Sequence, residues 1–211
     1  MCIRFVRGDC LNNNKRNLVN ALMDKENPYI TSYKLKEYGL NTYDVKTLVD
    51  DGIIERVRRG LYRWVLVEST YNEIVEIVNI VPDGVICLFS ALSFYELTTY
   101  IPKEYNVAIS RKTRKPILPK YPSVKIIYFS EERFKKGVVE VEIEHKKVKI
   151  FDLEKTVCDT IFYRNKIGLD IVKEVMDRYI AKPERNIQKL VEYAEALRVY
   201  NILKTYLEVL I

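Results

Sequence analysis

Two guanidinium groups stand side by side, Arg58 and Arg59, immediately before Gly60 in the segment GIIERVRRGLYRW. Arginine forks match phosphate oxygens two at a time and keep their charge, so an arginine pair at a tight turn is suited to gripping a nucleic-acid backbone. A second constellation, Pro82-Asp83 with Glu144-His145-Lys146, has the letters of a PD…ExK metal-dependent nuclease. That chemistry needs two carboxylates on Mg²⁺ and a lysine near the attacking water, all on adjacent strands. Here Asp83 falls in a Pro-Gly turn and Glu144 and Lys146 at an expected hairpin tip, which is poor placement. A third group, Asp152, Glu154, Lys155 and Asp159, suits a helix start: Asp152 can cap, Glu154 complements the dipole, and Lys155 and Asp159 are i,i+4 neighbours. It reads either as a capped helix fixed by an ion pair or as a surface for recognising a partner. The single histidine, His145, is expected at the same hairpin tip, and 7 glycines leave no phosphate-cradling loop. Ser90 has no nucleophile-elbow glycines around it. No enzyme activity, metal or cofactor is expected.

The positive charge is concentrated. Residues 1–102 carry 12 Lys and Arg against 13 Asp and Glu, residues 103–136 carry 10 against 3, and residues 137–211 carry 13 of each. The whole excess behind the net +6 therefore sits in the middle segment, densest at Arg111, Lys112, Arg114 and Lys115. Such a block attracts polyanions, so a second nucleic-acid surface or a face for an acidic partner is expected there; a solvated loop is the bland reading.

The elements that must position these groups follow from periodicity. Leu18, Val19 and Leu22 mark a helix from about Lys15 to Lys25, ended by Asn27-Pro28. Thr31 or Ser32 can cap a short helix with Leu35 and Tyr38 inward, and Gly39 can take the positive φ of a C′ residue before Leu40. Thr42 is the candidate cap of the next helix, whose stripe is Val45, Leu48 and Val49; Gly52 closes it. Two strands, 53–57 and 61–65, follow around Arg58-Arg59-Gly60. Helix, turn, helix and basic hairpin together predict a winged helix-turn-helix, which presents one helix to the DNA major groove.

Beyond Trp64 the pattern is mixed. Ser69 can cap a helix with Tyr71, Ile74, Val75 and Val78 inward, and residues 90–97 suit another. Strands are expected at 106–110, 124–129, 138–143 and 147–151, with a proline-bearing basic loop over 111–120. Helices are expected at 153–165, 169–180 and 184–209, the last broken. The fold class is therefore α+β: a winged helix-turn-helix domain over residues 1–68, then a mixed α/β domain over 69–211 ending in a helical segment. No run of 18 apolar residues suggests a membrane span, residues 1–16 lack the apolar core of a secretory signal, and four scattered cysteines suit reduced thiols. The expected address is the cytoplasm.

The segments GIIERVRRGLYRW, PDGVICLFSALSFYELTTYIP and FDLEKTVCDTIFYRNKIG, in that order, resemble AbiEi-type antitoxins of type IV toxin–antitoxin systems. The resemblance runs from about Leu18 to about Asp177. It implies an N-terminal winged helix that represses its own operon at inverted operator repeats in double-stranded DNA. It further implies a second domain that counters a nucleotidyltransferase-like toxin, with or without a stable complex. Carried over by position, the implied DNA contacts are Thr42, Tyr43 and Lys46 on the recognition helix and Arg56, Arg58, Arg59 and Arg63 on the wing. The Arg111–Lys115 segment and the Asp152–Asp159 cluster match family-like regions whose individual roles the resemblance does not assign. The alternative is a winged-helix regulator whose second domain senses a ligand or partner, with no toxin.

Overall fold

The computed structural model describes residues 13–23, 28–65, 72–119 and 121–210. The Lys25 end of the first helix, the Ser69 cap, inward Tyr71, Cys2, Cys10 and the 68/69 boundary lie outside the described residues. The architecture is α+β, with two sheets among the helices.

Helix α1 (Asn13–Leu22) precedes strand β1 (Tyr29–Thr31), helix α2 (Ser32–Glu37), helix α3 (Thr42–Asp50) and the hairpin of β2 (Ile54–Arg58) and β3 (Leu61–Trp64). The three strands form an antiparallel sheet in the order β1-β3-β2. Val19, Leu35, Leu40, Leu48, Ile54 and Trp64 bury themselves between helices and sheet. Local chemistry sets the joints. Thr31 accepts the Lys34 N–H at 3.2 Å to start α2. Asn41, not Thr42, caps α3: its side chain accepts the Tyr43 and Asp44 amides, and Asp44 accepts the Asn41 N–H in return. Asn at the cap with a carboxylate three residues on is a capping box. Tyr38, expected inward, is 44% exposed, because α2 ends one residue earlier and Leu40 takes the inner position. Gly39 adopts φ +81° where the chain reverses.

A second sheet has five strands, in the order 124–129, 105–110, 85–86, 146–151 and 138–143. It follows helix α4 (Glu73–Ile80), capped by Asn72, and contains β4 (Val85–Ile86). Helix α5 (Leu88–Phe94) leads to β5 (Tyr105–Ser110) and β6 (Val124–Phe129), which pair in parallel. Parallel neighbours need a crossover of a dozen or so residues, and here the proline-bearing basic loop supplies it without a helix. Helix α6 (Glu131–Lys135), not expected from periodicity, precedes the hairpin β7 (Val138–Ile143) and β8 (Lys146–Phe151). The remainder is helical: α7 (Leu153–Phe162), α8 (Arg164–Ile167), α9 (Leu169–Ala181), α10 (Ile187–Ala196) and α11 (Tyr200–Leu210). The α10–α11 break passes through Arg198 at φ +60°. Helix α7 is the axle: Leu153, Val157 and Ile161 pack against Val172, Met176 and Leu190.

The two sheets share apolar contacts. Val57 and Leu61, on the hairpin, are buried with Ile77, Ile80, Val107 and Val148 rather than with the core around Trp64. Among the described residues, no helix is long and apolar enough to cross a membrane.

Candidate nucleic-acid interface

The N-terminus of α3 is held by charge. Lys15 on α1 donates to both Asp44 oxygens, at 2.9 and 2.8 Å, and Asp44 is otherwise buried. With Val45 and Leu48 turned inward, Thr42, Tyr43 and Lys46 emerge on the outer face; Tyr43 is 64% exposed. Thr42 and Val45 line a groove of about 560 Å³ together with Tyr33, Lys36 and Tyr62.

The hairpin distributes its arginines by strand alternation. Ile54 and Trp64 face the first core, so their neighbours Glu55 and Arg63, paired across the strands, face the second sheet. Val57, two residues on, shares Glu55's side and meets the second core, and an irregularity between Arg56 and Arg58 sets Arg58 opposite Leu61. Arg56 and Arg59 are exposed. Arg58 is exposed but anchored, its Nε donating to the Asn79 carbonyl at 3.1 Å. Arg63 does not join them. Its guanidinium donates to the Tyr121 carbonyl at 3.0 Å, lies 3.6 Å from Glu55 and stacks near the Tyr121 ring. That side chain is 14% exposed and ties β3 to the segment ahead of β6, so its guanidinium is not presented with the other three. Nearby, burial and then the Glu76 carboxylate push the Tyr29 phenol well above its ordinary value.

The middle basic segment divides. The Thr113 N–H bonds the Ser110 carbonyl at 2.9 Å, turning the chain as it leaves β5. Arg114 and Lys115 then line a cleft of about 550 Å³ shared with Arg56, Arg58 and Arg59, floored by Ile80, Val81 and Ile109. Among the described residues, its one carboxylate is Asp83. Arg111 instead lines pockets beside Tyr128 and Phe162, and the Lys112 charge acts on Glu131. Of the four cations, Arg114 and Lys115 line that cleft and Arg111 and Lys112 do not.

The Asp152–Asp159 cluster is assembled but internal. Lys155 pairs with Asp159, whose other oxygen takes Arg133 Nη1 at 2.7 Å; Lys155 and Asp159 are both fully buried. Burial pushes the Asp159 carboxyl up and the Lys155 amine down, each opposed by the other's charge. Asp152 caps α7 through the Lys155 N–H, and takes Tyr193 Oη and Lys189 Nζ, both at 3.0 Å. Burial, then the Asp152 charge, moves the Tyr193 phenol up to about 12. Glu154 accepts the Asn186 N–H at 3.1 Å and faces Lys189 at 3.3 Å. These four residues join α7 to α6 and α10. Lys155 and Asp159 are fully buried and Asp152 and Glu154 nearly so, which fits the capped helix fixed by an ion pair.

The nuclease residues are not brought together. The Glu144 carboxylate accepts the Asn72 N–H at the start of α4, whereas Asp83 lines the basic cleft beyond its end. His145 is fully exposed at the β7–β8 turn. Among the described residues, no group of three or more His, Cys, Asp or Glu is placed to hold a metal ion. Sequence reasoning missed Arg133 and Lys189, whose signal is faint: each sits among other charges, and only tertiary packing distinguishes them. No family model matches the chain, and a search of curated proteins finds no match.

Proposed function

We propose that this chain is a non-enzymatic, cytoplasmic antitoxin of the AbiEi type that also represses its own operon. In this reading α2 and α3 form the helix-turn-helix, α3 enters the major groove, and β2–β3 is the wing. The observation that carries it is the pooling of charge. Arg56, Arg58 and Arg59 meet Arg114 and Lys115, more than fifty positions later, in one cleft with a single carboxylate among the described residues. Tyr62, the cross-strand partner of Arg56, lines the groove beside Thr42, so cleft and α3 flank the same hairpin. A backbone laid across such a surface would meet guanidinium groups from both sheets, with Thr42, Tyr43 and Lys46 left for base edges.

The toxin-countering half of the proposal rests on the resemblance of the PDGVICLFSALSFYELTTYIP and FDLEKTVCDTIFYRNKIG segments. Both fold into the five-stranded sheet and its axle helix. The regulator without a toxin is favoured by a different observation: Val57 and Leu61 tie the hairpin into the second core, so a ligand there would be felt at the DNA-facing surface.

The test has two parts. The full chain is titrated against its own upstream promoter, and it is co-expressed with the neighbouring reading frame while growth is scored. Promoter binding plus growth rescue supports the antitoxin. Promoter binding with no toxic neighbour supports the regulator, and no duplex binding refutes both.

A further inference from the structure

Away from the hairpin, two pockets adjoin beside the open edge of β6. One, of about 360 Å³, lies between α6, the end of α7 and the α10–α11 turn. The other, of about 470 Å³, lies between the start of α5, β6 and α8. Arg111, Tyr128, Phe162 and Tyr163 line both and so form the wall between them. That wall keeps its rings at the surface. Phe162 is 45% exposed and Tyr128 38%. Phe162 is braced on one side by the Arg133 guanidinium, 3.7 Å from the ring centroid, and at its edge by Tyr163. Arg133 is itself fixed by Asp159, so the buried cluster sets the ring's position.

Asp159 holds Arg133, and the Lys166 ammonium lies 5.8 Å from the Tyr163 ring centroid, but among the described residues the remaining charge around this wall pairs with no carboxylate. Arg111, Lys125, Lys166 and Arg198 are exposed, and among the described residues none is in an ion pair. Among the described residues, Glu132 is the one carboxylate in either lining. Flat apolar rings flanked by unpaired cations fit a ligand with alternating π faces and negative charges. We propose that this groove binds a short single-stranded segment of nucleic acid, its bases against Phe162 and Tyr128 and its phosphates on Arg111, Lys125, Lys166 and Arg198. Stacking on aromatic side chains tolerates any base, while the charges follow the backbone. Each pocket lies at the small end of ligand cavities, the size of one nucleotide. A duplex keeps its base faces stacked inside and cannot use the rings. An acidic peptide uses the cations and leaves the rings wet. The proposal is independent of operator binding, which uses the opposite set of arginines.

The experiment is fluorescence anisotropy of the full chain with labelled RNA and DNA strands of about 12 nucleotides, within the span of known single-strand sites. The matching duplex, AMP and an acidic peptide serve as competitors. The strands bind, and Phe162→Ala weakens them about tenfold, as the removal of one stacking ring should. Phe162→Leu, which preserves packing, weakens them similarly, and Phe162→Trp does not. Lys125→Glu with Lys166→Glu, both at exposed positions, lowers affinity and flattens its salt dependence. Arg58→Ala with Arg59→Ala leaves strand binding intact. The proposal falls if the strands do not bind, or if Phe162→Leu and the charge reversal leave binding unchanged. It also falls if AMP competes as well as the strand at equal nucleotide concentration, or if the peptide displaces it equally well.

Discussion

Arg133 Nη1 donates to Oδ1 of Asp159 at 2.7 Å, and the buried Lys155 ammonium holds the other oxygen of the same carboxylate. One acid thus bridges two cations from different elements, fastening α6 to the axle helix α7. Arg133 Nη2 extends the tie to the Leu197 carbonyl at the end of α10.

Removing that acid should be costly. Asp159→Ala leaves Lys155 and Arg133 buried without a counter-charge, and breaking a buried pair in this way typically costs about 3–5 kcal/mol. Arg133→Met leaves the Lys155–Asp159 pair intact and substitutes apolar volume, so its effect should be smaller. Urea unfolding measures both. An Asp159→Ala protein within about 1 kcal/mol of the parent would show that the cluster is not a structural tie.

Much of this arrangement is legible in the sequence, because α7 follows local rules: Asp152 caps, Leu153, Val157 and Ile161 recur at helical spacing, and Lys155 and Asp159 are one turn apart. Arg133 is not, since its partner lies 26 positions away and its neighbours are charged like any surface stretch. The choice of Asn41 over Thr42 as cap is decidable from the carboxylate three residues later, at Asp44. The split of Arg111 and Lys112 from Arg114 and Lys115 is not, because it depends on a turn at Ser110–Thr113. The burial of Arg63 likewise needs the sheet-to-sheet packing in which Val57 and Leu61 take part.

That packing predicts coupled unfolding. Trp64 is the single tryptophan and sits in the first core, so its fluorescence reports the three-stranded sheet, whereas far-ultraviolet circular dichroism is dominated by the helices around α7. The parent should show one coincident transition by both probes. Leu61→Asp places a charge at a 7% exposed position in the shared core and should separate the two curves. Curves that stay coincident, with an unchanged midpoint, would mean the sheets do not stabilise each other.

Glu174 predicts an acid dependence. Burial tends to raise its carboxyl, but the Thr99 amide, the Thr98 and Thr99 hydroxyls and Arg178 outweigh that, and its pKa lies below the ordinary 4.5. A folded pKa lower than the unfolded one contributes stability above the unfolded value, lost as pH falls through the folded value. With the side chain a quarter exposed, Glu174→Gln should cost about 1 kcal/mol near neutrality, after allowance for solvent screening. The two proteins should converge once the parent's carboxyl is protonated. A difference that persists unchanged into strong acid would assign the effect to packing.

The divided arginines predict divided salt effects in duplex binding. Each B-DNA phosphate that a variant leaves unneutralised flattens the slope of log affinity against log salt by about 0.9. Arg58→Ala with Arg59→Ala should therefore reduce the slope by roughly 2 and weaken binding across sequences alike. Arg114→Ala with Lys115→Ala should flatten it too, because those side chains line the same cleft. Arg111→Ala with Lys112→Ala should leave the slope alone, since their charges lie outside that cleft. Arg63→Ala should lower the thermal midpoint rather than the slope, its guanidinium being spent on Tyr121 and Glu55. Anisotropy titrations of the promoter duplex at several salt concentrations separate these outcomes. If the Arg111–Lys112 pair flattens the slope as much as the Arg114–Lys115 pair, the cleft is not the path of the backbone.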